Sequence, residues 1–293
     1  MNKVIVITGP TAVGKTKLSI EIAKKYNGEI INCDAVQVYK GLDIGSAKVR
    51  EEEKENIPHH LFDIKEVDEE YTIYHYQKDC RNIIKEVQSR GKTPILVGGT
   101  GLYIKAALYE YKLSEEVNSE TYDTLTDEEL YQELIKLDKN IIIDKNNRRR
   151  LIRALNYYKE NNESINNNKT NKILYDTLFI GLTTDRTKLY EKINSRVDIM
   201  LEKGLLEEIK PYYDKNIRTK PLLNAIGYRE IYKYFDGEYT LEEAIEKIKQ
   251  NSRHYAKRQY TFFNNQLPVV WFETDYENFN NTIKKVSDYI DSK

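Results

Sequence analysis

The segment that most constrains the fold is residues 9–16, which read GPTAVGKT and fit the phosphate-binding pattern G-x-x-x-x-G-K-[ST]. A short β-branched run, Val4–Thr8, precedes this loop, and apolar residues at helical spacing follow it at Leu18, Ile22 and Tyr26. A match to this motif is credible when it joins a strand to a helix, and the flanking patterns predict that context. We therefore interpret the N-terminal apolar run as the first strand rather than as a secretory signal.

The loop residues supply chemistry that suits phosphate. Glycines let backbone N–H groups point inward around phosphate oxygens, and the following helix adds its positive N-terminal end. Lys15 contributes a full positive charge, and the Thr16 hydroxyl is a ligand for Mg²⁺, which we expect as the cofactor. We predict that all the residues of the loop hold the phosphates of a substrate: Gly9, Pro10, Thr11, Ala12, Val13, Gly14, Lys15 and Thr16.

Strand-like and helix-like patterns alternate through the first hundred residues. Apolar runs at residues 29–33 and Thr93–Val97 lie on either side of a predicted helix over residues 74–90. This order predicts a mostly parallel sheet with helices on both faces. Ligands of such sheets bind beyond the carboxyl ends of the strands, where both the phosphate loop and Asp34 fall. Asp34 is then a base or metal ligand, or alternatively a helix N-cap.

The middle of the chain differs from both ends. From about residue 113 to residue 170 the strand patterns disappear and charge rises, which predicts a helical insertion domain within a core formed by residues 1–112 and 171–293. Residues 173–183 and 267–272 resume strand-like patterns and are expected to join the sheet, while Gly28 is the expected C-cap of the first helix. The predicted fold class is therefore α/β, a P-loop NTPase-like parallel sheet flanked by helices and carrying a helical insertion.

Composition excludes several other classes of protein. Of the 293 residues, 40% are hydrophobic and 32% charged, and no run approaches the roughly 18–20 apolar residues of a membrane span. The two cysteines form no disulfide framework, and the four histidines match no structural zinc spacing. We expect a cytoplasmic protein that does not bind a membrane, and we take a monomer as the default.

Positive charge is clustered although the formal net charge is only −1. One cluster comprises Arg148, Arg149, Arg150 and Arg153, and a second comprises Arg253, Lys257 and Arg258. Each cluster is interleaved with aromatic residues, which favours a polyanionic partner. The alternative is that each is a solvated helix face, with Arg150 and Arg153 in surface ion pairs.

Several ordered blocks together resemble the bacterial tRNA dimethylallyltransferases, also called tRNA isopentenyltransferases. The phosphate loop is followed by DAVQVYKGLDIGSAK at residues 34–48, VGGTGLY at 97–103 and RRLIRAL at 149–155. Further blocks lie at residues 57–64, 193–204, 225–230 and 255–259, so the resemblance covers nearly the whole chain. A phosphate loop alone is weakly specific, whereas these blocks in this order are highly specific.

The resemblance implies a prenyl transfer to RNA. The family moves a dimethylallyl group from its diphosphate to the exocyclic N6 of an adenosine beside the tRNA anticodon, and the adenosine leaves its stack to enter the crevice. By this resemblance Asp34 is the base, and Arg196 stabilises the leaving diphosphate together with Lys15 and Thr16. The expected partners are dimethylallyl diphosphate and the tRNA anticodon stem-loop.

The resemblance also implies two groups of tRNA-binding residues. The flipped base is held by Asp34, Ala35, Val36, Gln37 and Thr100. The stem-loop backbone is held by Arg149, Arg150, Leu151, Ile152 and Arg153 and by Lys257, Arg258 and Gln259. Ala35 stands where the family often has Ser, which removes a hydroxyl beside the base. Val49 and the pair Phe262-Phe263 also depart from the usual residues.

Two other functions share part of this pattern. An ATP-binding P-loop kinase of small molecules or nucleotides has the same loop, Mg²⁺ and arginine clamp. A non-catalytic RNA-binding module would need only the basic insertion. The phosphate loop with Asp34 disfavours the module, and the blocks at residues 34–48 and 98–103 disfavour the kinase.

Overall fold

A computed structural model describes residues 3–111, 113 and 120–293, with residues 168–170 described by their backbone alone. The strands are β1 Val4–Thr8, β2 Gly28–Asn32, β3 His59–His60, β4 Thr93–Val97, β5 Tyr109–Tyr111, β6 Lys169–Ile173, β7 Thr177–Thr183 and β8 Val270–Glu273. The helices of the first half are α1 Lys15–Lys25, α2 Ile73–Ser89, α3 Gly101–Leu108, α4 Asp127–Leu137 and α5 Arg148–Asn161. Those of the second half are α6 Arg186–Glu202, α7 Leu205–Asp214, α8 Lys220–Asn224, α9 Tyr228–Phe235, α10 Leu241–Gln266 and α11 Phe279–Asp291. Short 3₁₀ turns lie at Glu51–Glu53 and Ile165–Asn168.

The chain folds into two compact units, one made of the residues up to Ala107 with Tyr175–Lys293 and the other of Leu108–Leu174. The first unit contains a six-stranded sheet in the order β3-β2-β4-β1-β7-β8, and every pairing in it is parallel. The predicted α/β class is therefore confirmed.

Strand order in this sheet creates a crevice at the carboxyl end of β1. The chain moves across the sheet in one direction from β1 to β2 and on to β3, and in the other direction from β3 to β4. Right-handed connections then place α1 and α2 on opposite faces. Connections that diverge in this way leave an opening at the strand ends, where ligands bind. Both the phosphate loop and Asp34 lie at that edge.

Apolar side chains of β1, α1, β4 and β7 form the core of this unit together with residues from α6, α10 and α11. β1 and β2 are buried along their full length, as a strand covered on both faces must be. Within the described residues, every helix is too short or too polar to span a lipid bilayer.

The second unit has a small core between its two helices. Leu130 and Leu134 of α4 pack with Leu151, Ala154 and Leu155 of α5. Both helices begin at side-chain caps, Thr126 for α4 and Asn147 for α5. This unit differs from the prediction in one respect, because β5 and β6 form a two-stranded antiparallel sheet in it. Its backbone hydrogen bonds stabilise a strand whose sequence, KTNKI, has little strand character.

The boundaries of three predicted features also differ. Ile173 belongs to β6 and not to the main sheet, which the chain rejoins at Thr177. Gly28 opens β2, and Asn27, with a φ of 49°, takes the left-handed position after α1 that we assigned to the glycine. The last strand begins at Val270 rather than at Leu267. A domain boundary predicted at residue 112 lies outside the described residues.

Candidate active site

The phosphate loop has the strand–loop–helix context that the sequence predicted, between β1 and α1. Gly9 has a φ of 135°, and a Cβ there would lie 2.4 Å from the Leu182 carbonyl oxygen, so only glycine fits. The Lys15 ammonium donates to the carbonyl oxygens of Gly9 at 3.1 Å and Pro10 at 2.6 Å. It therefore lies over the loop, where a bound phosphate would replace these carbonyls as its partner.

Asp34 lies just beyond the carboxyl end of β2 and is held in a tight turn. Its backbone N–H donates to Asn32 Oδ1 at 2.9 Å, and its own Oδ1 accepts from the Val36 N–H at 2.8 Å. Among the described residues, the second carboxylate oxygen has no hydrogen-bond partner. One oxygen thus fixes the side chain while the other remains able to accept a proton. The carboxylate caps a turn, not a helix, so the predicted N-cap alternative is wrong.

Three charged groups interact across this crevice. Burial first and then the positive charge of Arg196 lower the pKa of Lys15 to about 7, while the negative charge of Asp34 acts in the opposite direction. Burial also lowers the pKa of Arg196, again opposed by Asp34. Two cations therefore share one carboxylate in a partly desolvated crevice. Such a net positive charge favours an anionic ligand.

Residues of the predicted base-binding group surround Asp34. The Ala35 N–H donates to the Thr100 hydroxyl at 3.3 Å, which joins the turn after β2 to the loop after β4. Gln37 donates through Nε2 to the Ser46 carbonyl oxygen at 2.9 Å. Val36 and Gln37 are only partly buried, so this side of the crevice is accessible.

The buried side chain of Gln259 has a role different from the predicted tRNA contact. It is 5% exposed, accepts from the Thr11 N–H at 3.2 Å and donates to the Gly99 carbonyl oxygen at 3.0 Å. Both ends of the amide are used inside the protein, so we assign its side chain to joining the phosphate loop and the loop after β4. By contrast, Lys257 and Arg258 are exposed on the same helix. They line an open groove of about 390 Å³ with Thr261, Phe262, Asn265 and Gln266.

The basic helix α5 of the second unit carries charges of two kinds. Arg148 bonds to Asp127 at 2.9 Å and to the carbonyl oxygens of Tyr122 and Leu125. Arg149 and Arg150 are exposed and have no ion-pair partner among the described residues, and Arg153 is exposed as well. The arginines named as RNA contacts are thus accessible to a polyanion.

The two apolar residues predicted among the RNA contacts lie differently on α5. Leu151 is fully buried in the core of the second unit, and Ile152 packs against that core. Their side chains stabilise the helix that presents the arginines, so we remove Leu151 from the predicted RNA contacts and assign Ile152 mainly to packing.

The arrangement offers few protein ligands for a metal. No group of three or more His, Cys, Asp or Glu side chains that could hold an ion occurs in the described part of the chain. Thr16 is exposed and is the second residue of α1, at the end of the phosphate loop. A Mg²⁺ ion held mainly by substrate phosphates and waters needs no more than the hydroxyl oxygen of this residue.

Residues 37–266 match the family described as IPP transferase. The chain is 49% identical over 302 residues to a tRNA dimethylallyltransferase of Anoxybacillus flavithermus, covering 99% of this chain and 97% of the relative. The chain belongs to the IPP transferase family. A second family member, a tRNA dimethylallyltransferase of Bacillus subtilis, is 47% identical over 283 residues, which is 92% of this chain and 90% of that relative.

Solved structures of the family agree with the fold. A tRNA isopentenylpyrophosphate transferase of Bacillus halodurans is 42% identical with a TM-score of 0.79, covering 100% of this chain and 96% of that chain. A eukaryotic dimethylallyltransferase, described as acting on tRNA, is 30% identical with a TM-score of 0.87. The alignment covers 100% of this chain and 80% of that chain. These similarities confirm the predicted P-loop NTPase-like sheet.

Two residues near the site were missed by sequence reasoning. Tyr255 lies near Thr100 and Gln259, and burial with the Asp34 charge raises its pKa to about 12. Its spacing of four residues from Gln259 in α10 is a signal that could have identified it. Glu208 accepts from the N–H groups of Asp43, Ile44 and Gly45 at 2.6–3.1 Å, and nothing local in the sequence indicates that contact.

Proposed function

We propose that this protein transfers a dimethylallyl group from dimethylallyl diphosphate to N6 of the adenosine beside the anticodon in tRNA. The observation that carries the proposal is the crevice in which Lys15 and Arg196 interact electrostatically with Asp34 beside the phosphate loop. A diphosphate ester fits the cations, and an amine that must lose a proton fits the carboxylate. Family membership supports the same pair of substrates, since its members are tRNA dimethylallyltransferases.

In the proposed reaction, one bond breaks and one forms at the same carbon. The C1–O bond of the donor breaks and its electron pair leaves with the diphosphate, while the adenosine N6 lone pair forms the new C1–N bond. One N6 proton is transferred to Asp34, whose free carboxylate oxygen is available because the other is held by Val36. The products are N6-dimethylallyladenosine in tRNA and diphosphate.

Positive groups of the crevice stabilise the charge that develops on the leaving group. Lys15 lies over the phosphate loop, and Arg196 reaches the same space from α6. Donors placed in advance where charge develops lower the barrier more than they would in water. The inward-pointing amides of the loop would bind the same oxygens.

Magnesium is the cofactor that we propose. Thr16 would hold it together with the diphosphate oxygens, and the hard hydroxyl oxygen fits that ion. When bound, the ion would neutralise part of the diphosphate charge. The residues of the chain would still supply the proton acceptor and the loop amides.

Exposed arginines and lysines supply the proposed contacts to the RNA backbone. Arg149, Arg150 and Arg153 do so in the second unit, and Lys257 and Arg258 do so on α10. The turn from Ala35 to Gln37 and Thr100 would hold the flipped adenine. We also propose a cytoplasmic location, where a tRNA substrate is available, and a monomer as the working unit.

A labelling experiment separates this function from its rivals. The protein is incubated with [¹⁴C]dimethylallyl diphosphate or with [γ-³²P]ATP, each with and without tRNA. We expect ¹⁴C in tRNA and no transfer of ³²P. Phosphate transfer from ATP would instead indicate a kinase, and tRNA binding without any labelling would indicate a non-catalytic RNA-binding module.

A further inference from the structure

Residues 274–279, which we call the C-terminal brace, contact three consecutive residues of the phosphate loop. The Thr274 hydroxyl donates to the Val13 carbonyl oxygen at 3.0 Å, and the Tyr276 hydroxyl donates to the Ala12 carbonyl oxygen at 3.1 Å. A Cβ placed on Gly14 would lie 2.7 Å from the Phe279 ring, so the two are in close contact. The brace follows β8, about 260 residues after the loop, and no local pattern predicts the contact.

The two hydroxyls control the direction of the amides that face the ligand. In a trans peptide the C=O and the N–H of the next residue point in opposite directions. A fixed Ala12 carbonyl therefore fixes the Val13 N–H, and a fixed Val13 carbonyl fixes the Gly14 N–H. Within the described residues neither of these amides has a hydrogen-bond partner. Both are therefore available to phosphate oxygens.

The conformation of Ala12 needs such support. Its φ is 68°, a left-handed conformation that a residue with a Cβ rarely adopts. Strained backbone of this kind persists where the surrounding structure determines it. Tyr276 bonds to the outward carbonyl of this same residue, so the contact stabilises the strained turn.

The brace is itself anchored to the sheet and to the helix that carries Arg196. The Thr274 N–H donates to the Thr183 carbonyl oxygen at 2.8 Å, at the carboxyl end of β7. The Lys192 ammonium lies 5.0 Å from the centre of the Tyr276 ring, and Lys192 precedes Arg196 by one helical turn in α6. Tyr276 therefore connects the loop amides to the helix of the diphosphate arginine.

We propose that Tyr276, assisted by Thr274, is a positioning residue for the diphosphate of the donor. The proposal rests on the proposed function for the identity of that donor. The two hydroxyls hold the Ala12 and Val13 carbonyls outward, and the amides of Val13 and Gly14 are thereby directed at the diphosphate before it binds. Neither hydroxyl contacts the reacting atoms.

The test is the Tyr276→Phe variant, which keeps the ring under Lys192 and removes only the hydroxyl. We expect the KM for dimethylallyl diphosphate to rise about fivefold, the effect of one neutral hydrogen bond. The KM for an anticodon stem-loop should stay within about twofold of wild type, because the RNA does not use these amides. Thr274→Val should act in the same direction, and the double variant should lose more than either.

Tyr26→Phe is the matched control for a purely structural effect. The Tyr26 hydroxyl lies 2.7 Å from Asp291 Oδ1 and 3.0 Å from the Ser287 carbonyl oxygen, both in α11, so this variant weakens the docking of α11 without touching the loop. Similar losses of thermal stability in both variants, with the donor KM raised only in Tyr276→Phe, support the proposal. Unchanged donor binding in Tyr276→Phe, or equal increases of both KM values, would overturn it.

Calorimetric titration with inorganic diphosphate in the presence of MgCl₂ separates this proposal from the proposed function. Weaker diphosphate binding by Tyr276→Phe than by Tyr26→Phe supports the brace even if the wild-type protein labels no tRNA. Equal affinities in the two variants overturn it even if the wild-type protein is an active prenyltransferase.

Discussion

The two ends of strand β2 carry charged clusters with opposite designs. At the amino end, the Glu29 side chain is 3% exposed and accepts from Lys92 at 2.8 Å, and from Arg90 and His60 at 2.7 Å each. Just beyond the carboxyl end, Asp34 bonds to a backbone amide through one oxygen, faces two cations and forms no ion pair with any residue that the structure describes. One strand thus joins a closed cluster to an open one.

The pKa values express the same difference. Burial would raise the pKa of Glu29, but hydrogen bonds from Lys92, His60 and Arg90 outweigh it and lower the pKa to about 2. At the other end, burial and a neighbouring cation destabilise the charged form of Lys15 and lower its pKa to about 7. The closed cluster satisfies its own charge, whereas the open cluster is completed by a ligand. Charge that the fold leaves uncompensated is therefore the better indicator of function here.

The largest effect should come from Asp34→Asn at the open end. Asparagine keeps the oxygen that accepts from Val36, so we expect the fold and the tRNA affinity to be retained. Without a proton acceptor the single-turnover rate should fall by about 10²–10⁴-fold, and Asp34→Ala should behave similarly. Single-turnover rates near those of wild type would show that this carboxylate is not the base.

The next effect should come from Lys15 and Thr16, which we propose to bind the diphosphate of the donor and Mg²⁺. Lys15→Ala should reduce kcat/KM for dimethylallyl diphosphate by about 10²–10³-fold, the effect of one lost donor to a developing charge. Thr16→Ala should also impair use of the donor, and filter binding should show tRNA affinity unchanged in both. A loss of tRNA affinity with normal donor kinetics would mean that the loop binds something else.

Sequence patterns could predict the residues of the open cluster better than the residues that hold them in place. The phosphate loop, the strand ends and Asp34 follow from short-range patterns, because a strand end and a glycine-rich turn are encoded by neighbouring residues. Arg196 was identified through the family resemblance. Gln259 is different, because its bond to Thr11 crosses 248 residues and only the fold brings them together.

Two further supports show the same limitation of sequence patterns. The hydrogen bond of Tyr276 to Ala12 crosses 264 residues. Leu151 was predicted as an RNA contact through the family resemblance, yet its buried position on an amphipathic helix decides its role. The residues that we propose to contact ligand and those that support them are therefore distinguished by burial, which only the structure provides.

Glu29→Gln tests the closed cluster at the amino end of β2. Unlike the variants at the open cluster, it should reduce stability and leave turnover nearly unchanged. The free energy of unfolding at pH 7 should fall by about 2–3 kcal/mol, less than for a fully buried pair because the three cations are partly exposed. Turnover should stay within about twofold of wild type, since this cluster lies at the other end of the strand. A large loss of turnover in a stable variant would contradict the comparison.

The difference in stability between wild type and Glu29→Gln depends on pH, because folding lowers the pKa of Glu29. Because folding lowers the pKa of Glu29 from 4.5 to about 2, its contribution is complete above about pH 5 and is lost as the pH falls toward 2. Denaturant unfolding of both proteins should therefore show the stability gap narrowing from pH 5 downward. A gap that is constant over this range would show that the carboxylate charge does not stabilise the fold.

The smallest effect should come from helix α5, which contains both kinds of charge on adjacent residues. Arg148 is compensated by Asp127, whereas Arg149 and Arg150 have no ion-pair partner among the described residues. If uncompensated charge marks a ligand site here too, the double variant Arg149→Ala with Arg150→Ala should bind tRNA more weakly. The slope of the logarithm of tRNA affinity against the logarithm of salt concentration should also become smaller, by about 0.7–0.9 for each phosphate that the variant no longer neutralises. Turnover of a saturating anticodon stem-loop should fall less than in Asp34→Asn, because these residues position RNA without taking part in the chemistry.

Arg148→Ala is the matched control, which should lower thermal stability and leave the slope unchanged. Affinities measured at several salt concentrations decide the matter, because equal slopes in the double variant, Arg148→Ala and wild type would make the exposed arginines an ordinary solvated helix face.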